Sequence, residues 1–347
     1  MVVVRPVKLE DLDRLVELAH IASFGLTSLP RDRDLLHKRI LQSLRSFSEE
    51  RDKPSGELFL FVLEDVEARV VVGTSCVVSK VGGFEPFYAY KIQTSVHRSE
   101  KLNIRKEIQT LHLVAEHSGP TEIGGLFVVP EYRKHGNGRL LSLFRFLFMA
   151  ENPKRFEPLI IAEMRGVVDD QCRSPFWEAL GRHFFEMDYC KADILSVMEK
   201  KFIADLMPTS PIYVPLLPES AQDVIGKVHE NTEPALKLLQ DEGFRFSGMV
   251  DIFEAGPLVQ CRLADIRIVK ESHNSRVDEI VAEGIDSVTF IIAKAGHDFR
   301  ACMGPVGYSP SGGICLPLQV AEALHLKLGD KVRVSPLRPS TTAGRND

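Results

Sequence analysis

The sequence predicts an α/β (α+β) fold in which a mixed central β-sheet carries helices on both faces and a small C-terminal β-rich subdomain follows. Segments typical of strands and helices succeed one another in the order β-α-α-β-β-β-α-β-α-β, without strict alternation. From about residue 260 the pattern changes to short strands and turns, which indicates a boundary there. With 347 residues, the chain is long enough for one large domain and a smaller one.

The composition is that of an ordinary globular protein. The chain is 44% hydrophobic and 26% charged, and its net charge of −5 disfavours a protein that works on nucleic acid or an anionic membrane surface. No apolar stretch approaches the roughly 20 residues of a membrane helix, and the N-terminus does not resemble a signal peptide. The six cysteines show neither a CxxC pair nor metal-ligand spacing. We therefore expect a cytoplasmic protein with reduced thiols, no disulfide framework and no metal site.

The first part of the chain supplies two helices and three strands. A β-branched run opens the chain, and two segments with apolar residues at helical spacing follow it. Two runs rich in Val and Phe then indicate strands. These segments are residues 1–4, 8–22, 34–47, 58–65 and 68–81. Residues 83–121 break the rhythm and are interpreted as an insertion.

The second part continues with a strand at residues 123–129, a glycine turn, and a helix at 138–150. A buried strand, a long irregular insertion, a capped helix and another strand come next, at residues 157–166, 166–228, 231–244 and 246–256. The predicted domains are therefore residues 1–260, with insertions at about 83–121 and 166–228, and residues 261–340. Residues 341–347 are predicted to form a disordered tail.

The turn at residues 133–138, RKHGNG, is the strongest chemical signal in the chain. A glycine turn between a strand end and a helix start gathers unsatisfied N–H groups and the positive end of the helix dipole, which together bind anions. Neither the P-loop pattern nor the GxGxxG dinucleotide pattern matches. Short glycine turns also join elements without any ligand, so the pattern alone leaves both interpretations open.

Arg133-x-x-Gly136-x-Gly138, directly after a strand that ends in VVPEY, resembles the acetyl-CoA-binding turn of the GNAT superfamily of N-acyltransferases. Residues 5–19 and 231–244 resemble that superfamily's first strand and helix and its late helix. The resemblance implies a GNAT-like sheet. It also implies that the amides of residues 133–138 bind the pyrophosphate of coenzyme A, with the pantetheine arm along the preceding strand.

The chain more closely resembles the arginine N-succinyltransferase family. The matching stretches are GLTSLP, TEIGGLFVVPEYRKHGNGRLLS, AEMRG, SPFWEALGRHFFEMD and AQDVIGKVHENTEPALKLLQDEGF. The resemblance implies that succinyl-CoA, as co-substrate rather than tightly bound cofactor, donates its acyl group to the α-amine of L-arginine in a ternary complex. No Cys or Ser lies in a convincing nucleophile arrangement, which supports direct attack.

Two alternatives remain open: a GNAT acyltransferase that acts on ornithine or another amine, and a non-catalytic partner subunit. The family includes paired subunits, so a homo- or hetero-oligomer is expected. Residues 316–337 superficially resemble small DNA-binding modules, but the negative charge of the chain disfavours DNA binding. We interpret the tail as a structural β-subdomain.

The resemblance also assigns the candidate site residues. Many GNAT enzymes place a proton-donating tyrosine at a position where this chain has Leu239. In the arginine N-succinyltransferase family a histidine of the same segment is assigned that role, so the resemblance implies that His229 is the proton donor. Without the family motif, a lone histidine near a helix start is more typical of a surface or capping residue. Glu163 and Arg165 share one face of a strand end, and either could bind a charged substrate group. The remaining candidates are the coenzyme-binding residues Leu126, Val128, Arg133, Gly136, Asn137 and Gly138, and the substrate-binding residue Ser28.

Overall fold

A computed structural model describes residues 1–22, 26, 28–83, 85–198, 200–282, 284–296 and 298–339. Within these residues the strands are β1 (Val2–Pro6), β2 (Leu58–Asp65), β3 (Val70–Val78), β4 (Phe87–Ser99), β5 (Ile104–Glu116), β6 (Thr121–Val128), β7 (Leu159–Glu163), β8 (Ile212–Tyr213), β9 (Arg245–Val250), β10 (Pro257–Arg262), β11 (His273–Val281), β12 (Thr289–Lys294), β13 (Arg300–Pro305), β14 (Gly307–Tyr308), β15 (Ile314–Pro317) and β16 (Lys331–Pro336). The predicted tail at residues 341–347 lies outside the described residues.

The helices are α1 (Leu12–Ile21), α2 (Arg33–Ser48), α3 (Asn137–Glu151), α4 (Pro175–Ala179), α5 (Gly181–Phe185), α6 (Tyr189–Met198), α7 (Lys201–Leu206), α8 (Glu219–Gln222), α9 (Glu233–Asp241), α10 (Arg267–Lys270) and α11 (Leu318–Ala323). Within the described ranges, no helix is both long and apolar enough to cross a membrane.

All described strands join one mixed sheet in the order β14-β15-β11-β16-β12-β13-β1-β2-β3-β6-β7-β10-β9-β4-β5-β8. Most neighbours are antiparallel, whereas β6–β7 and β11–β15 are parallel. Every residue of β2 from Leu58 to Leu63 is buried, so both faces of the sheet are covered at its centre. The predicted mixed α/β class is confirmed.

Helix α3 is the most deeply buried element of the main core. Every residue from Leu140 to Met149 is buried, as expected for a helix that is apolar almost all round. Its aromatic side chains pack edge-on against the sheet, with the Phe144 and Phe61 ring centroids 4.7 Å apart. Because α3 is held on all sides, the glycine turn that precedes it has a fixed position.

The two predicted insertions form ordered structures. In the first, β4 and β5 form a long hairpin that pairs from Phe87–Glu116 to Ser99–Ile104. In the second, short helices α4 to α8 surround a separate core centred on Trp177, which is fully buried and stacked on Phe185. The interpretation of SPFWEALGRHFF as core packing is consistent with this arrangement.

The expectation of reduced thiols is wrong for two cysteines, because the structure joins Cys172 and Cys190 in a disulfide. The loop before α4 folds back on itself, with the Asp169 N–H donating to the Arg173 carbonyl at 3.0 Å. The Cys172 and Cys190 Cα atoms lie 5.9 Å apart, within the span of a disulfide. The pair is 18 positions apart and follows no motif, so the sequence alone could not show it.

The C-terminal region continues the main sheet. Strand β13 pairs with β1 through Ala301 and Val4. Arg267, just after the predicted boundary, donates to the Pro336 carbonyl at 3.0 Å, and Arg333 forms an ion pair with Glu151 at the end of α3. These contacts tie the C-terminal strands to the body that carries the glycine turn.

Candidate active site

A gap opens between the parallel strands β6 and β7. The two strands pair only at Thr121–Ile160 and Glu122–Ile161. Beyond that point β6 stays paired with β3 up to Val128, and β7 stays paired with β10 up to Glu163. The carboxyl ends of adjacent parallel strands therefore diverge, which is a common location for ligand sites in α/β sheets.

Strand β6 contains a bulge on its way into this gap. Three steps from Gly124 to Phe127 oppose two steps from Cys76 to Thr74, so β6 carries one extra residue. Gly125 adopts φ +63°, a left-handed conformation that glycine enters at little cost, and the Thr74 hydroxyl donates to its carbonyl at 3.1 Å. The bulge ends the regular ladder just before Leu126.

Leu126 presents free backbone groups within the gap. The carbonyls on either side of it are occupied: Gly124 accepts from Arg145 Nη1 at 3.1 Å, and Val128 accepts from Arg133 Nε at 2.8 Å. The Val129 N–H donates to the Val72 carbonyl of β3 at 2.9 Å, and backbone groups alternate in direction along a strand. The Leu126 N–H and C=O therefore point away from β3, toward the gap. Of the two predicted strand contacts, Leu126 is the one whose backbone is available, whereas the Val128 carbonyl is already used.

The glycine turn has two consecutive left-handed residues. His135 adopts φ +54° and Gly136 adopts φ +82°, and α3 begins at the next residue. The Asn137 side chain is buried and donates from Nδ2 to the Tyr132 carbonyl at 3.0 Å. The Asn137 side chain therefore holds the turn in shape, and the predicted contact of this residue with coenzyme A is left to its backbone.

The N-terminal end of α3 is open to an approaching anion. A side chain at Gly138 would meet nothing within 4 Å, so there is open space beside the first turn of α3. These groups carry the positive end of a 15-residue helix dipole. Arg133, Lys134 and His135 are exposed around the same turn. The geometry is that of a phosphate-binding helix start.

His229 lies at the other wall of the gap. Its N–H donates to the Arg165 carbonyl at 2.9 Å. One residue earlier, the Met164 N–H donates to Pro257 of β10 at 3.1 Å. Because backbone groups alternate in direction along an extended chain, the Arg165 carbonyl points away from β10, toward the side of β6. His229 is therefore attached to the edge of β7 that faces the gap.

The hydrogen bonding of His229 fixes which ring nitrogen carries the proton. Nδ1 accepts from the Asn231 N–H at 3.1 Å and so caps the short turn that leads into α9. The neutral ring must then carry its proton on Nε2. The half-buried ring thus has an Nε2–H group available to a substrate. Leu239, at the position of the tyrosine in many GNAT enzymes, is a buried core residue without a proton to donate.

A group of carboxylates, here called the acidic cluster, surrounds the end of β7. Its members are Glu122, Glu163, Asp193, Asp251 and Glu254. Burial raises the pKa of each, to about 7 for Asp193 and about 8 for Glu254. Across the described ranges, no group of three or more His, Cys, Asp or Glu side chains could hold a metal ion.

Glu163 is the accessible member of the acidic cluster. Desolvation by the surrounding protein, followed by the charges of Glu122 and Asp251, raises its pKa well above the usual range. Its side chain nevertheless remains exposed to solvent. A carboxylate that is both reachable and walled by protein lies in a recess, where a cationic ligand group would relieve the repulsion.

Glu254 anchors the cluster to the end of β7. One of its oxygens accepts from the Gly166 N–H at 2.9 Å, and the other accepts from the Tyr189 hydroxyl. The backbones are in close contact here, since a Cβ at Gly256 would lie 2.1 Å from the Met164 carbonyl oxygen. The carboxylates are therefore held by rigid, glycine-dependent packing.

Two half-buried arginines next to the gap lack partners. The Nε atoms of Arg39 and Arg165 are buried and have no hydrogen-bond partner among the described residues. Arg165 acts electrostatically on Asp193. Ser28 is the predicted substrate-binding residue of the loop after α1. Its Oγ lies 2.9 Å from the position that a Gly125 Cβ would occupy. The structure thus brings Ser28, Glu163, Arg165 and His229 to the same end of the sheet as Leu126.

Sequence reasoning missed several charged residues of this region. Arg39 follows the buried Leu36 by three positions and precedes the buried Ile40, so helical spacing already places it partly inward. Arg145 is the single charge in the apolar run LLSLFRFLFMA, which is a signal of a buried functional or structural cation. Asp193, Asp251 and Glu254 come from distant segments and carry no local signal.

Comparisons with known proteins agree on one family. The family described as arginine N-succinyltransferase beta subunit matches residues 2–268, and the C-terminal domain of that same family matches residues 273–336. An arginine N-succinyltransferase from Yersinia pestis is 41% identical over 97% of this chain and 98% of its own. Arginine N-succinyltransferase subunit beta from Pseudomonas aeruginosa is 43% identical over 96% and 98%.

A solved structure agrees with these sequences. It is the arginine/ornithine succinyltransferase subunit AI from Pseudomonas aeruginosa, 34% identical to this chain. The superposition covers 97% of this chain and 99% of that one, with a TM-score of 0.88. The similarity therefore extends over both the main sheet and the C-terminal strands.

Proposed function

This chain belongs to the arginine N-succinyltransferase family, a family of acyltransferases, and we propose that it transfers the succinyl group of succinyl-CoA to the α-amine of L-arginine. The observation that carries this proposal is the gap between β6 and β7. The Leu126 backbone faces this gap, the glycine turn and the start of α3 lie at the end of β6, and His229 is attached to the opposite wall.

Succinyl-CoA binds along β6 in this proposal. The amides around Gly136 and Gly138 hold the pyrophosphate, with Arg133 nearby. The pantetheine amides pair with the free Leu126 backbone, as a peptide adds to a strand edge. The thioester then lies in the gap, next to the bulge.

Transfer proceeds by direct attack. The neutral α-amine attacks the thioester carbon, forming the C–N bond while the C–S bond breaks. The nitrogen gives up one proton to solvent, and the departing thiolate takes one up. The Nε2–H of His229 donates a hydrogen bond to the sulfur as negative charge develops there. Since Nδ1 is held as an acceptor, His229 fits this donor role better than the role of base.

The acceptor carries charges that match the groups at the end of β7. A guanidinium fits the acidic cluster, with Glu163 as its accessible carboxylate. The α-carboxylate of the amino acid fits the unpartnered Arg165. Together these contacts would bring the α-amine toward the thioester while the side chain points into the recess.

Ornithine is a second candidate acceptor. The Pseudomonas aeruginosa structure is named an arginine/ornithine succinyltransferase subunit. A side-chain ammonium could bind the same carboxylates as a guanidinium, with fewer hydrogen bonds. The names of that protein and of subunit beta also support assembly into a homo- or hetero-oligomer.

The test is thiol release from succinyl-CoA and from acetyl-CoA, each with L-arginine and with ornithine. We expect the highest kcat/KM for succinyl-CoA with L-arginine. Higher kcat/KM for ornithine would move the acceptor but keep the reaction. Absence of turnover with every pair, despite saturable coenzyme A binding, would contradict catalysis by this chain alone.

A further inference from the structure

Arg39 in α2 has a guanidinium that forms no ion pair with the described residues. Its Nε atom is buried, and neither a hydrogen bond nor an ion pair joins the side chain to any residue that the structure describes. A buried N–H group without a hydrogen-bond partner costs free energy. Lys38, the neighbouring cation on the same helix, is exposed and incurs no such cost. Arg39 is therefore positioned for an anion that the protein itself does not supply.

The charge of Arg39 reaches the bulge of β6. It acts electrostatically on the Cys76 thiol and on the Glu122 carboxyl group. Cys76 is the β3 partner of Gly124, and a Glu122 oxygen lies 4.0 Å from the position that a Gly124 Cβ would occupy. Glu122 forms no ion pair with Arg39 in the described part of the chain, so the guanidinium stays free.

The bulge of β6 has no side chain at Gly124 or Gly125. A Gly124 side chain would make only ordinary contact, 3.7 Å from the Cys76 sulfur. At Gly125 the Ser28 hydroxyl occupies the space that a side chain would need. Gly124 thus leaves room beside the predicted thioester position, and the Ser28 hydroxyl lines the neighbouring position.

We propose that Arg39, assisted by the Ser28 hydroxyl, binds the terminal carboxylate of the acyl group and so selects a dicarboxylic acyl-CoA. The inference rests on the proposed function, because it requires the thioester at Leu126. Succinyl differs from a simple C4 acyl group only by the negative charge at its end. A guanidinium placed past the glycine bulge recognises that charge directly.

The experiment compares succinyl-CoA with butyryl-CoA, which has the same chain length and no carboxylate, for wild type and Arg39→Gln. Loss of a charge-assisted hydrogen bond should lower kcat/KM for succinyl-CoA by roughly 10- to 150-fold. The value for butyryl-CoA should change by less than about threefold, since that donor makes no ion pair. Arg39→Lys should recover part of the succinyl-CoA rate.

Two matched variants sharpen the test. Lys38→Gln removes an exposed cation from the same helix and should leave both donors unchanged. Arg165→Gln should raise the KM for L-arginine and leave the donor preference intact. If Arg165→Gln, rather than Arg39→Gln, abolishes the preference for succinyl-CoA, the assignment to Arg39 is overturned.

The remaining outcomes separate this inference from the proposed function. Equal loss with both donors in Arg39→Gln would mean that Arg39 only supports the fold, and no loss with either would mean that it does not contact the acyl group. A wild type that does not prefer succinyl-CoA would contradict the proposed donor itself. If no amine supports turnover, calorimetric binding of the two acyl-CoAs decides, because the wild-type preference must vanish in Arg39→Gln.

Discussion

His229 combines a structural and a chemical role at one position. Its Nδ1 atom caps the turn before α9, which by itself would explain a histidine there. The backbone bond to Arg165 then places the same ring at the β7 edge of the gap, with Nε2–H unused by the cap. A substitution that keeps the cap and removes Nε2–H can separate the two roles.

We predict that His229→Asn lowers kcat by about 10²- to 10⁴-fold without destabilising the fold. Asparagine is a good cap but has no group at the place of Nε2. His229→Ala, the paired variant, should lose the same activity and also about 1 kcal/mol of stability with the cap. Thiol release and chemical denaturation measure the two effects. If His229→Asn retains the wild-type rate, His229 is a cap only.

At the residue scale, the sequence predicted those positions that follow from a motif. Gly136 and Gly138 could be named because a glycine turn has few alternatives, and His229 could be named through the family resemblance. The tautomer of His229 follows from a local bond to Asn231. Its position next to Arg165 and the surroundings of Arg39 depend on contacts between segments far apart in the chain, which no local pattern records. At Asn137 the structure adds a structural role for the side chain, which caps the turn at the Tyr132 carbonyl.

Strand β6, the glycine turn and α3 act as one rigid element. The bulge at Gly125 frees the Leu126 backbone, and the Arg133 side chain ties the turn back to the Val128 carbonyl. Buried Arg145 links α3 to the Gly124 carbonyl, and burial lowers the pKa of its guanidinium to about 10, still well above neutral pH. Backbone groups held from both ends lose little entropy when a ligand binds.

We predict that Gly138→Ala weakens coenzyme A binding without lowering the unfolding temperature. The new methyl group meets no protein atom within 4 Å, and alanine favours a helix over glycine by about 1 kcal/mol. It would, however, stand in the path of the pyrophosphate, so we expect the Kd to rise by about tenfold. Calorimetry with coenzyme A, alongside thermal unfolding, tests this. Unchanged binding would exclude the turn as the phosphate site.

The sequence predicted the existence of this element but not its splayed geometry. The strand, turn and helix follow from local patterns at residues 123–150. The gap exists because the end of β6 stays paired with β3 while the end of β7 stays paired with β10. The order of the strands in the sheet sets these pairings. The helices within residues 166–228 are short and were interpreted as irregular, because their cores depend on distant residues such as Tyr90 and Val250.

At the scale of the whole molecule, the acidic cluster couples stability to pH. Glu254 is buried, and desolvation, followed by the charge of Asp251, raises its pKa to about 8. In the unfolded chain its pKa returns to the ordinary glutamate value of 4.5. Between these pH values the native state binds more protons than the unfolded state, so the free energy of unfolding falls as pH rises.

We predict that Glu254→Gln flattens this dependence. Glutamine does not titrate, so the variant should lose less stability than wild type between pH 4.5 and about 8. Above pH 8 it should gain on wild type by an amount on the order of a few kcal/mol. Urea unfolding of both proteins across this range provides the measurement. Parallel curves would show that Glu254 does not titrate in this window.

The division of the chain was harder to predict than its class. The change of pattern near residue 260 is visible in the sequence, whereas the pairing of Val4 with Ala301 joins the two ends of the chain in one sheet. Pairing at such separation leaves no periodic signal in either segment. The boundary near residue 260 remains a prediction about independent folding.

The most direct test of the central claim is the identity of the product formed from succinyl-CoA and L-arginine. Tandem mass spectrometry of the reaction mixture locates the new acyl group on the amino acid. The account predicts one succinyl group, attached to the α-nitrogen, with release of one equivalent of coenzyme A. A succinyl group on the guanidinium, or no adduct while coenzyme A still binds, would contradict it.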